Sequence, residues 1–188
     1  MRNTRSAAPL LPTLALVIAL APRLAHAETL DVALTAGAGS ASIVSDPCGY
    51  DGSCSDPRLR HSGPAALLGV AFHQPWPGGA LPSSFDARLG GRIEAAAVST
   101  GSGLATTLVE IELGLVGVTL NGGLGLTLLW MNDDERRDRG VTPAFTVGAA
   151  LPINRSLAVA GRAELHGFMH SVHAAAFAAV ALEWSPGD

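Results

Sequence analysis

The chain has 188 residues, 48% of them hydrophobic and 15% charged, and its 12 basic residues, all arginine, face 16 acids. That length suits one domain. The arginines form no stripe of the kind nucleic acid requires, which excludes that partner. No stretch beyond the first 27 residues approaches the ~20 apolar residues of a spanning helix, so any membrane crossing must be made by strands.

Arg2 and Arg5 give a positive start, Leu10 to Ala21 an apolar run, and Ala25-His26-Ala27 a small-x-small end. This is an export signal with cleavage expected after Ala27, so the domain spans 28–188. Removing Arg2, Arg5 and Arg23 leaves 9 arginines against 16 acids, a net charge of −7. Eight strand-like segments follow, at roughly 29–43, 65–76, 85–98, 105–120, 123–132, 141–152, 155–169 and 173–184. Between the first two, residues 44–64 form a long loop holding Cys48 and Cys54. In the oxidising compartment beyond an export signal these two are expected to form a disulfide. A proline- and glycine-rich turn occupies 77–84, and Thr100-Gly101-Ser102-Gly103 is a short tip. Asn121-Gly122 predicts a tight hairpin. Residues 133–140 form a charged loop, Pro152-Ile153-Asn154-Arg155 a turn, and Ser171-Val172 a tip.

Within the segments almost every charge falls on one phase of a two-residue alternation, the signature of strands with one apolar and one polar face. Leu34, Leu68, Leu89, Ile93, Val109, Ile111, Leu124, Leu126, Val147, Leu165, Val180 and Leu182 share the apolar face. The other face alternates glycine and alanine with Arg88, Arg92, Glu94, Glu110, Glu112, Arg162, Glu164 and His166. A face so rich in small residues, with its charges at mid-strand, does not suit a solvated exterior. It suits the inside of a closed barrel whose apolar face meets lipid. In lipid only closure satisfies every strand's backbone, and an arginine on the lipid side at mid-depth costs roughly 2–4 kcal/mol. The predicted fold is therefore all-β, an eight-stranded antiparallel up-and-down transmembrane barrel. An even strand number brings both termini to one side. Trp76, Phe85 and Trp184 then fall near the terminal-side membrane interface and Trp130 near the opposite one.

These features resemble the small eight-stranded outer-membrane barrels of the OmpA-, OmpX- and OmpW-like group, across the whole of 28–188 and by pattern, not by a specific motif. The resemblance implies residence in the outer membrane of a Gram-negative-type cell. Partners would be outer-membrane lipid or lipopolysaccharide and the barrel-assembly machinery, with a surface partner left unnamed. Family members commonly end on an aromatic residue; here Trp184 keeps the phase and Ser185-Pro186-Gly187-Asp188 follow it.

The interior charges are the first candidate for chemistry. An eight-stranded barrel is about filled by side chains, and buried charges must pair or neutralise. Arg92 is expected to meet Glu110 or Glu112, with Arg162 and Glu164 approaching from the opposite wall. The acids outnumber the arginines, so protons or a cation must make up the difference. His166, His170 and His173 are a weak metal pattern, because residues 166 and 170 of a strand stand about 13 Å apart. His170 and Ser171, with Glu164 near, could serve a lipid-modifying enzyme, but neighbours on a strand point apart and a base must reach its nucleophile. The expectation is a filled polar interior without a wide pore, enzymatic activity, cofactor or metal, and a structural or surface-interaction role. Two alternatives remain: a soluble exported barrel holding a small apolar ligand inside, and the lipid-modifying enzyme.

Overall fold

The computed structural model describes residues 30–45, 59–76, 86–132, 137–167 and 173–186. The export segment, Cys48, Cys54, Phe85, His170 and Ser171 lie outside them. The described residues form eight strands: β1 (Asp31–Ser45), β2 (Leu59–Pro75), β3 (Asp86–Val98), β4 (Gly103–Leu115), β5 (Val118–Asn132), β6 (Arg137–Pro152), β7 (Leu157–His166) and β8 (His173–Trp184). Each pairs antiparallel with its neighbours in sequence, and β8 pairs with β1 to close the barrel. Following partners once around, from Val32 through Phe72, Gly91, Val109, Leu124, Phe145, Leu165 and Ala176, returns to β1 at Ser42, ten residues beyond the start. With ~3.3 Å per residue and ~4.8 Å between strands, that stagger tilts the strands by about 40° from the barrel axis.

The alternation sets the two faces as the sequence predicts. Leu34, Leu68, Val109, Leu124, Leu126, Val141, Leu165, Val180 and Leu182 point outward and are exposed, while Arg92, Glu94, Glu110, Arg162, Glu164 and His166 point inward and are buried. Val70 departs from this, buried although it lies on the outward phase. Closure also depends on small residues: a Cβ added at the inward Gly39 would collide with the Ala178 carbonyl across the β1–β8 seam.

Three expectations need correction. The hairpin between β4 and β5 turns at Val116-Gly117, not at Asn121-Gly122. Gly117 supplies the positive φ of 77° that the reversal requires, whereas Asn121 is a buried, inward residue of β5 paired with Gly148. Second, β1, β2, β4 and β6 run further than their predicted ends toward the side opposite the termini. β1 reaches Ser45 and β2 starts at Leu59, so the long connection spans 46–58, and β6 begins at Arg137. Third, the interior is not polar throughout. At the end away from the termini, inward-facing Ile43, Leu67, Leu104, Leu129, Met131 and Phe177 pack into an apolar layer. Their strands read apolar on both phases there, as in Leu128-Leu129-Trp130-Met131, because outward side chains still meet an apolar surrounding while inward ones meet each other.

Candidate functional site

Polar chemistry in this barrel is concentrated in the layer below that apolar lid. Strands β3 and β4 bring Arg92 beside Glu110, Nε donating to Oε2 at 2.8 Å. The pairing is diagonal, since Arg92 lies directly opposite Leu108 and Gly90 opposite Glu110. The guanidinium also donates to Thr35 Oγ1 at 3.1 Å and to Glu183 Oε1 at 3.1 Å. From the opposite wall Arg162 donates to Glu94 Oε2 at 2.6 Å and to the same Glu183 oxygen at 2.8 Å. Glu183 therefore bridges the two arginines. His73 Nε2 stands 3.4 Å from Glu110 and 3.5 Å from Glu112. Of the five carboxyls in this layer, Glu94, Glu110 and Glu183 contact the two guanidiniums, while Glu112 stands by His73 and Glu164 by His166. Both oxygens of Glu164 and Oε1 of Glu94 and Glu110 meet no hydrogen-bond donor among the described residues. Two guanidiniums do not balance five carboxylates, so neutrality of this layer takes protons or a cation in addition to the arginines.

Arg88, expected in the same network, sits apart. It lies at the mouth on the terminal side, with its side chain 37% exposed, and pairs with Asp31 and Asp86. Glu183 and His73 are not among the predicted site residues, although each lies on the inward phase of its strand. The alternation alone is enough to place both.

A second polar chain runs across the barrel. Thr106 and Thr127 share a hydrogen bond of 2.8 Å, Thr127 Oγ1 meets His166 Nδ1 at 2.7 Å, and His166 Nε2 lies 3.2 Å from Glu164 Oε2. Hydroxyl, imidazole and carboxylate stand in the order of a nucleophile, its base and the group that orients the base. Thr127 is fully buried and its hydroxyl is already engaged by Thr106, so no substrate bond can reach it. Above the lid, Ser45 donates to Asp138, whose other oxygen lies 3.1 Å from His173 Nε2. His61 Nδ1 meets Ser102 Oγ at 2.6 Å. His166 and His173 are thus held in separate contacts, and among the described residues no three histidine, cysteine or acidic side chains converge as a metal site.

Of the aromatic residues expected at the membrane interfaces, Trp76 and Trp184 are exposed at the terminal-side rim. Trp130 faces outward near the other rim, opposite Gly103 and Arg139.

No family model matches the sequence, and no curated protein does. Solved structures do. Ail, the attachment invasion locus protein of Yersinia pestis, crystallised with the heparin analogue sucrose octasulfate, aligns with a TM-score of 0.50 at 8% identity over 84% of this chain and 99% of that one. The N-terminal β-barrel domain of Pseudomonas aeruginosa OprF aligns at 0.45, with 8% identity over 82% and 97%. Neisserial surface protein A aligns at 0.46, with 11% identity over 81% and 96%. Identities this low carry fold and nothing finer: the chain has the closed eight-stranded antiparallel architecture of the small outer-membrane barrels, as its likeness to Ail shows.

Proposed function

We propose that this protein is an outer-membrane barrel whose sealed interior is structural and whose role is surface interaction through the loops opposite its termini. One observation carries the reading. Leu34, Leu68, Val109, Leu124, Leu126, Val141, Leu165, Val180 and Leu182 lie 48 to 68% exposed around the outside, while the strand charges at the same depth point inward. An apolar exterior of this extent costs a protein dearly in water and nothing in a bilayer. The apolar lid over the ion-pair layer argues against a continuous aqueous path, and the burial of Thr127 argues against catalysis by the chain it begins. Export by the N-terminal signal and closure of a loop disulfide between Cys48 and Cys54 belong to the same reading.

Ail's binding of a sulfated sugar analogue does not transfer readily. A polyanion needs a cationic surface, yet residues 46–58 hold three aspartates against one arginine, and 133–136 three acids against one arginine. These loops suit a basic partner, or lipopolysaccharide bridged through divalent cations. The reading is tested by SDS gel mobility of the membrane-fraction protein, boiled against unboiled. A shift on boiling is the expected result. An unshifted protein in the soluble exported fraction would overturn it and favour the soluble barrel.

A further inference from the structure

Three of the interior acids are cut off from water. The side chains of Glu94, Glu110 and Glu164 are at most 1% exposed, whereas those of Glu112 and Glu183, at 13 and 11%, lie toward the terminal-side mouth. The guanidiniums of Arg92 and Arg162 are buried as deeply as the first three. Three deep acids against two deep arginines leave one negative charge uncompensated, which a site without water does not tolerate. The contacts show where that charge would fall. Glu110 takes Arg92 at 2.8 Å and Glu94 takes Arg162 at 2.6 Å, while Glu164 takes neither arginine.

Glu164 on β7 instead faces Glu94 on β3, across the barrel, and the two carboxyls stand within hydrogen-bond reach of each other. Among the described residues Oε1 of Glu94 and both oxygens of Glu164 find no donor. His166 Nε2 is also without a partner, although the residue is 2% exposed and this nitrogen stands 3.2 Å from Glu164 Oε2. The cross-strand neighbours of the pair carry no charge: Gly69 and Thr106 beside Glu94, Thr146 and Phe177 beside Glu164. The charged or titratable groups around it are Arg162 and His166 on β7 and Arg92 on β3. Glu183 on β8 lies beyond Arg162, and Glu110 on β4 with His73 on β2 beyond Arg92. From β1 and β5 come only the hydroxyls of Thr35 and Thr127. A metal ion does not fit, since no three ligating side chains converge among the described residues. A water molecule would donate to the carboxyl oxygens and leave the charge in place. A proton does both, because it turns one carboxylate into a donor for the other and removes their repulsion.

We propose that Glu94 and Glu164 hold one proton between them at neutral pH, a proton-binding site that ties β3 to β7 across the closed barrel. The inference rests on closure of the barrel and not on whether its outer wall meets lipid or water. In the unfolded chain both residues are ordinary glutamates, ionised above about pH 4.3. The folded chain then carries one proton more than the unfolded one, so stability falls as pH rises. A single proton makes this dependence about tenfold in the unfolding equilibrium constant per pH unit, for as long as the pair keeps it.

The test takes the infrared spectrum of the folded protein in deuterated buffer at about pH 8, far above the value of an ordinary glutamate. A protonated-carboxyl band is the expected result, lost in Glu164→Gln and in Glu94→Gln and kept in Glu112→Gln. In Glu164→Gln the amide donates to Glu94 where the proton did, so the barrel should still fold. Its unfolding constant, from urea titrations at a series of pH values, should rise with pH less steeply than that of the wild type, by about tenfold per unit. Glu94→Gln should show the same flattening, and Glu112→Gln the wild-type slope. The boiling shift on a gel shows which variants are folded, and the wild-type spectrum decides if neither member of the pair can be replaced. Absence of the band from the folded wild type, a band that survives both substitutions, or a slope unchanged in both would overturn the shared proton. A stability that falls on treatment with a chelator would overturn it too, and would put a cation in its place.

Discussion

Replacing Arg92 with methionine tests whether the interior is held by its ion pairs. Arg92 is 1% exposed and gives hydrogen bonds to Glu110, Glu183 and Thr35. Methionine keeps much of the volume and removes the charge, leaving two acids short of a partner. Breaking a buried pair from one side costs about 3–5 kcal/mol. Two features place the cost at the lower end of that range. Glu183 keeps Arg162 at 2.8 Å, and Glu110 keeps His73 at 3.4 Å. The expected loss is therefore about 3 kcal/mol, read as a lower urea midpoint for unfolding from lipid vesicles by tryptophan fluorescence. Adding Glu110→Gln should recover at least half of it, because a neutral amide in place of the carboxylate removes the stranded charge. A loss below about 1 kcal/mol, or a double variant no more stable than the single one, would refute the view that these charges are desolvated and mutually dependent.

Leu124 faces outward at mid-wall, and Leu124→Arg should cost roughly 2–4 kcal/mol in bilayers; a change within about 0.5 kcal/mol is what an ordinary water-facing site would give. Phe177→Ala removes the largest ring of the apolar lid and should cost about 3–5 kcal/mol. Combined with Leu129→Ala, it should also speed dissipation of a pH gradient across vesicles, measured with an entrapped dye; an unchanged rate would mean the lid is not the seal. Gly117→Val places a β-branched residue at φ 77° and should destabilise the barrel by at least 1–2 kcal/mol, whereas Gly122→Ala, in an ordinary strand conformation, should not. Asp138 lies beyond the apolar belt, at the rim level of Arg139. Partial burial pushes its carboxyl upward, but the Ser45 hydrogen bond and the His173 contact outweigh it and hold it below the usual value of 3.8. A carboxyl whose folded value is depressed stabilises the fold fully above its unfolded value and loses that contribution as pH falls through the folded one. Asp138→Asn should therefore lower the urea midpoint at pH 7, and the gap should close below about pH 4.

How much of this is legible in the sequence follows from what alternation can carry. Parity along a strand is a local property, so the order of residues alone places Arg92, Glu94, Glu110, Arg162 and Glu164 on one side. The same parity holds Glu183 and His73, each in phase with its strand's inward residues. Neither stands out in the sequence, because one sits beside the final tryptophan and the other lies apart from the mid-strand acids. The Asn121-Gly122 signal misleads because it is calibrated on turns in water. At the terminal-side rim the hairpin tip is Leu115-Val116-Gly117-Val118, apolar enough to disappear into the flanking strands. Only the backbone freedom of one glycine marks it.

Partners across the barrel lie beyond parity altogether. Arg162 meets Glu94, and Thr127 meets His166, because the sheet closes with a stagger of ten residues. A stagger two residues smaller or larger would keep every inward side chain inward yet shift which of them share a level. The interior network therefore reports on closure: Arg92 and Glu110 meet within one hairpin, but Arg162 reaches Glu94 and Arg92 reaches Glu183 and Thr35 only when the closed barrel has its stagger of ten. The apolar lid cannot do this, because leucine, methionine and phenylalanine pack acceptably against many neighbours. On this argument the two interior layers divide the work, the lid excluding water and the ion pairs selecting the register. Strengthening the lid at the expense of the pairs, as in Arg92→Leu with Glu110→Leu, should yield a barrel that resists urea yet folds into more than one species on an unboiled gel. A single sharp band from that variant would show that β-hairpin pairing alone sets the stagger.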